Sequence, residues 1–167
     1  MTMDRNELTD QLESWVGQRQ HGYFISLNSV VTLNDMTDQR LREQHQRFEA
    51  QVAKLMGFLK EHCFGRRYLR SQDQTCLKCV IGMEIGNKNG RLHVHIVAAH
   101  DGGTQRDLAS IQRFIAHKWV KIMNVDHEQS FTLVENMDVA RDRLWYITKQ
   151  SNTISCWHDG MCNISLA

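Results

Sequence analysis

Apolar and polar positions along this chain change period several times, and each change marks an element. Leu8, Leu12, Trp15 and Val16 recur three to four apart, the spacing of one helix face, so residues 6–19 predict a short amphipathic helix that Gly22 closes. "YFISLNSVV", residues 23–31, then turns aromatic and β-branched with partial alternation, which is the composition of a strand. Asn34, Asp35 and Thr37 offer N-cap side chains for a long helix. Its apolar stripe runs Leu41, Phe48, Val52, Leu55 and Leu59, and it ends near Gly65.

Leu77–Ile85 and residues 92–99 predict two strands joined by "GNKNG", whose Asn89-Gly90 pair is a strong turn signal. Thr104 with Asp107 three residues on has the form of a capping box, and Leu108, Ile111, Ile115, Trp119 and Ile122 continue at helical spacing. A strand over 130–135 follows, then a helix over 138–150 with Ala140, Leu144 and Ile147 on one side, and residues 163–166 suit an edge strand. The order is helix, strand, helix, strand, strand, helix, strand, helix. Its middle is βαββαβ, so the expected fold class is α+β, a ferredoxin-like core in which helices back an antiparallel sheet. A chain of 167 residues suits one domain spanning 1–167.

The hairpin has a chemical consequence. With residues 87–90 as the turn, Gly86 pairs with Arg91, Ile85 with Leu92 and Glu84 with His93. Side chains alternate along a strand, so His95 shares the face of His93, while Leu92, Val94, Ile96 and Ala98 join Ile81, Met83 and Ile85 on the other. The first face then gathers Glu84, His93 and His95, with Gly82 leaving room beside them. Two imidazoles and a carboxylate suit a divalent metal with positions left open for water or substrate. The alternative at this level is a pair of solvent-facing strand histidines with a carboxylate opposite, and a one-residue slip in register would disperse the group.

Net charge is +1, so overall charge does not announce a nucleic-acid binder and local clusters carry the question. The strongest cluster is Arg66, Arg67 and Arg70 around Tyr68, which suits phosphate contacts or a solvated face. Five cysteines without a secretory N-terminal pattern suit a reducing, cytoplasmic setting. Cys76 and Cys79 form a CxxC, and Cys156 and Cys162 flank His158, but the second pair has an unusual spacing for zinc, so reduced thiols are expected. No apolar run approaches the roughly 20 residues needed to span a bilayer, and no membrane partner is expected.

His93-Val94-His95 resembles the His-hydrophobe-His motif of the HUH endonucleases, the nickases of rolling-circle replication and conjugation. "LWYITKQ" supplies Tyr146 and Lys149 in the Tyr-x-x-Lys pattern of their single-tyrosine replication initiators. "FISLN", residues 24–28, resembles their first motif, and Glu84-Ile85-Gly86 resembles the acid-x-Gly that several viral members place before the histidines. Each motif is short, but they occur in order on the expected elements from Tyr23 to Gln150. Two other His-x-His families fit poorly: Val97 stands where histidine-triad hydrolases need a third histidine, and cupins are all-β with an acid soon after the pair.

The resemblance implies a single-stranded DNA endonuclease and strand transferase, with Glu84, His93 and His95 holding Mn2+ or Mg2+, Tyr146 as nucleophile and Lys149 assisting. Tyr146 and Lys149 stand one turn apart on a helix whose other side is apolar; taken alone they read as a half-buried aromatic and a surface lysine. Tyrosine ionises near pH 10, so positive charge from the metal and Lys149 would favour the phenolate. The family also implies a 5′-phosphotyrosine intermediate and commonly a hairpin origin, with Arg66, Arg67, Tyr68 and Arg70 as DNA contacts. No helicase-sized segment is present, so host helicase or polymerase, or a longer parent protein, is expected. A noncatalytic DNA-binding module, or a relaxase or transposase of the same superfamily, is the alternative.

Overall fold

The computed structural model of the chain describes residues 4–17, 19, 21–66, 77–86, 90–100, 102, 104, 106–130, 132–136, 140–150, 153–157 and 161–164. The elements are α1 (Arg5–Val16), β1 (His21–Thr32), α2 (Asp38–Phe64), β2 (Leu77–Ile85), β3 (Arg91–His100), α3 (Leu108–Met123), β4 (Thr132–Asn136), α4 (Ala140–Gln150), β5 (Thr153–Trp157) and β6 (Met161–Ile164). The strands form one sheet in the order β4-β1-β3-β2-β5-β6, every neighbouring pair antiparallel. The first four strands, with α2 and α3, are the ferredoxin-like βαββαβ core within an α+β fold.

Alternation along the strands divides the sheet into two covered faces. One face presents Ile25, Leu27, Ile81, Met83, Val94, Ile96 and Ala98 to α2 and α3, which contribute Phe48, Val52, Leu55, Leu59, Ile111, Ile115 and Trp119. The other presents Phe24, Val80, Val97, Ala99, Ile154 and Cys156 to Leu8, Leu12 and Val16 of α1 and Leu144 and Ile147 of α4. Each of these buried aliphatic side chains contributes roughly 1.5–3 kcal/mol. Packing therefore sets where the helices lie. Among the described residues no helix is long and apolar enough to cross a membrane.

The hairpin register agrees with the sequence expectation: Glu84 pairs with His93 and Ile85 with Leu92, and the Gly86 amide donates to the Arg91 carbonyl at 2.8 Å. Residues 87–89 of the turn lie outside the described residues. Gly90, at φ +60, closes it in a backbone region that favours glycine, and any Cβ there would force the exposed Asn34 side chain aside. β1 has a register break between Asn28 and Thr32, beside His93. The indole N–H of Trp119 donates to the Asn28 carbonyl at 3.1 Å, satisfying a backbone oxygen at that break.

Several expected boundaries move. α1 ends at Gly17, whose φ of 73 and bond to the Glu13 carbonyl stop it, whereas Gly22 lies inside β1 opposite Ala99. Thr37 caps α2. α3 is capped by Asp107 rather than Thr104, which instead accepts from the Arg106 amide. Asp107 Oδ1 accepts from the Ser110 amide at 2.7 Å, so Asp107→Ala is expected to cost about 1 kcal/mol in urea denaturation, with an unchanged midpoint contradicting the cap. β5 was not expected at all, and the expected edge strand is β6, with residues 165–167 outside the described set. Cys79 faces the α2 core while Cys156 faces the α1–α4 side, so one metal cannot join them; Cys76 and His158 lie outside the described residues.

Candidate active site

His93 and His95 of β3 lie between flanking strands. His95 has Ser26 of β1 on one side and Gly82 of β2 on the other; His93 has Asn28 and Glu84. They share the face on which α1 and α4 pack. Glu84 stands diagonally from His95, with Oε1 3.3 Å from Nε2, and Ser26 Oγ is 2.8 Å from His95 Nδ1. Burial pushes the His95 pKa below the usual histidine value, outweighing the upward pull of Glu84, so the ring is neutral at neutral pH.

A neutral imidazole carries one N–H, and the Ser26 hydroxyl suits either tautomer because it both donates and accepts. With Nδ1–H donated to Ser26, the Nε2 lone pair faces the Glu84 carboxylate and calls for a cation between them. With Ser26 donating, Nε2–H bonds Glu84 directly. The first tautomer is the form in which histidine binds metal, with the second nitrogen held by a partner. The donors Glu84 and His95 fit a divalent cation on this ground. His93, half-buried across from Glu84, acts electrostatically on His95, yet among the described residues no group of three or more His, Cys, Asp or Glu side chains is gathered as a metal cage.

α4 brings Tyr146 to this face. Its ring meets His95 edge-on, with centroids 5.2 Å apart and planes at 85°, and remains 38% exposed. Phe24 lies beneath both, stacked on His95 at 5.9 Å and 3° and edge-on to Tyr146 at 5.9 Å. Arg143 covers the Phe24 ring at 4.6 Å and bonds Glu135 of β4 at 3.2 Å. The helix itself is held from behind by α1, through Leu8 and Leu12 against Leu144 and Ile147 and a buried Thr9–Thr148 hydroxyl pair at 3.2 Å. Arg141 adds exposed ion pairs to Asp10 and Glu13, which orient more than they stabilise.

The other expected residues separate. Lys149 is exposed, with its ammonium over the Trp145 ring at 5.2 Å, on the surface of α4 next to Tyr146. Arg66 bonds Glu61 at 2.6 Å past the end of α2, on the helix-covered face opposite His95. Arg67, Tyr68 and Arg70 lie outside the described residues. Tyr23 is buried on the other face, its phenol pushed up to about 12 chiefly by burial and then by Cys63 and Asp107, which disqualifies it as a phenolate near neutral pH. Within "FISLN" the motif resemblance assigns no separate role to Phe24 or Ser26, and nothing local in the sequence points to Arg143. The spacing of positions 24, 26 and 28 in "FISLN" signals a shared strand face, but only the β1–β3 pairing says that this face meets His95. No family model matches the chain, and neither a curated protein nor a solved structure matches it.

Proposed function

We propose that the protein is a metal-dependent single-stranded DNA endonuclease and strand transferase of the HUH type, initiating rolling-circle replication of a plasmid or virus inside a cell. The observation that supports it is the meeting of Tyr146 with His95 beside Glu84, from segments far apart in the chain. A divalent cation, Mn2+ or Mg2+, held by Glu84 and His95 with His93 would neutralise a non-bridging phosphate oxygen.

Tyr146 supplies the attacking oxygen. Its Oη–P bond forms as the bond from phosphorus to the 3′ oxygen breaks; the phenol proton departs and the 3′ oxygen takes one up. The phosphodiester energy is kept in a 5′-phosphotyrosine, so another 3′-OH can reverse the step and rejoin strands. The buried Ser26 hydroxyl, accepting from His95 Nδ1–H, holds the imidazole with Nε2 toward Glu84, and Phe24 fixes the ring-to-ring spacing to Tyr146. Lys149, one turn on from Tyr146, is a cation that can hold the phosphate in line on leaving Trp145. The substrate is single-stranded DNA, with a hairpin origin and host helicase or polymerase as partners.

The test is incubation with labelled single-stranded hairpin DNA and Mn2+, followed by a denaturing gel. A slow, covalent band is expected. Binding without any band, across origin hairpins and metals, would make the protein a noncatalytic DNA-binding module. Ser26→Ala removes the partner of His95 Nδ1 and is expected to weaken Mn2+ binding by about 10- to 100-fold in calorimetric titration. Unchanged affinity would show that the metal does not depend on that orientation.

A further inference from the structure

On the face of the sheet remote from His95, the C-terminal end of α2, Arg106 just before α3 and the middle of α3 enclose an open cleft of about 740 Å3. Three permanent cations line it, Arg66, Arg106 and Lys118, against one carboxylate, Glu61, which is engaged by Arg66. Arg106 and Lys118 pair with no carboxylate among the described residues. Arg106 Nε donates to the His62 carbonyl at 3.3 Å, and Lys118 Nζ lies 4.5 Å from the Phe58 ring centroid and 5.8 Å from that of Phe114. His62 stacks on Phe114 with centroids 3.9 Å apart and planes at 8°. Burial first, then Arg106 and Lys118, push the His62 pKa below its usual value, so both cations act on the same point.

Like charges drawn into one concavity repel each other unless an anion enters between them. The cleft far exceeds a single phosphate group, and its cations are interleaved with partly buried aromatic rings, the combination that follows a nucleic-acid strand. We propose that this cleft holds a stretch of single-stranded DNA backbone, with phosphates at Arg106, Lys118 and Arg66, as a second contact apart from the candidate active site. The strand then engages both faces of the sheet, and the cleft contributes affinity without touching the reacting atoms. The proposal rests on the reading that this protein handles single-stranded DNA.

The experiment measures anisotropy of a fluorescent single-stranded oligonucleotide over a salt series, for wild type, the Arg106→Gln/Lys118→Gln double variant and Lys118→Arg. The double variant is expected to bind about tenfold more weakly, and two lost phosphate contacts should flatten the log–log salt slope by about 1.4. Lys118→Arg should stay near wild type. Should the double variant fold poorly, judged by its unfolding midpoint, the His62 ring proton signals of wild type are followed by NMR during addition of the oligonucleotide, and they are expected to shift. Wild-type binding with an unchanged slope in the folded double variant, or with unmoved His62 signals, overturns the cleft and leaves the nickase reading standing. Absence of any binding overturns both. Cleft-dependent binding without a covalent adduct keeps the cleft and removes the nickase.

Discussion

Tyr146→Phe is expected to abolish the covalent protein–DNA band, lowering adduct formation by more than about a thousandfold, while leaving the fold and DNA binding in place. The substitution removes one hydroxyl from a ring that is 38% exposed, so its effect on stability should stay within about 0.5 kcal/mol. The edge-on contacts with His95 and Phe24 belong to the ring and survive. Loss of the band in a protein with a wild-type urea midpoint would therefore report the lost oxygen and not a lost structure. Tyr23 offers no replacement, because it is buried on the other face with its phenol pushed up to about 12. A band that persists in Tyr146→Phe would remove Tyr146 as the nucleophile.

The largest stability effect at the site is expected at Phe24. It is 3% exposed and makes ring contacts with His95, Tyr146 and Arg143 at once. Phe24→Ala removes a ring from a packed interface and should cost about 3–5 kcal/mol, a large part of the 5–15 kcal/mol typical of a domain. Phe24→Leu keeps most of the volume and should cost less than about 1.5 kcal/mol. It should nevertheless slow adduct formation, since the leucine cannot keep the stacked and edge-on ring geometry. Urea denaturation reads the first effect and a single-turnover time course the second. A Phe24→Leu protein with unchanged kinetics would show that the ring contacts serve packing alone.

The parts of this site that could be read from sequence are those set by local rules. The Asn-Gly signal at 89–90 predicts a hairpin with Glu84 opposite His93, the register observed between β2 and β3, and that register with side-chain alternation places Glu84, His93 and His95 on one face. Long helices with clear apolar stripes, α2 and α3, were equally legible. What escaped depends on partners distant in the chain. β5 is a five-residue segment, rich in Ser and Thr, directly after a helix, and becomes a strand because the edge of β2 needs a neighbour. Arg143 and Ser26 look like ordinary surface and strand residues until β1 pairs with β3 and α4 crosses Phe24. α1 reads only as an amphipathic helix, yet it packs beside α4 on the same sheet face, sharing one buried cluster with Leu144 and Ile147 of the helix that carries Tyr146. Lys149 shows the converse, since its spacing from Tyr146 suggests partnership while its ammonium rests on Trp145.

The central claim is that Tyr146 attacks DNA, and mapping the covalent linkage tests it most directly. The adduct formed with Mn2+ is digested with nuclease and protease, and the modified peptide is sequenced by mass spectrometry. A nucleotide joined through its 5′ phosphate to Tyr146 is the predicted result. Attachment at another residue, or through a 3′ phosphate, would contradict it.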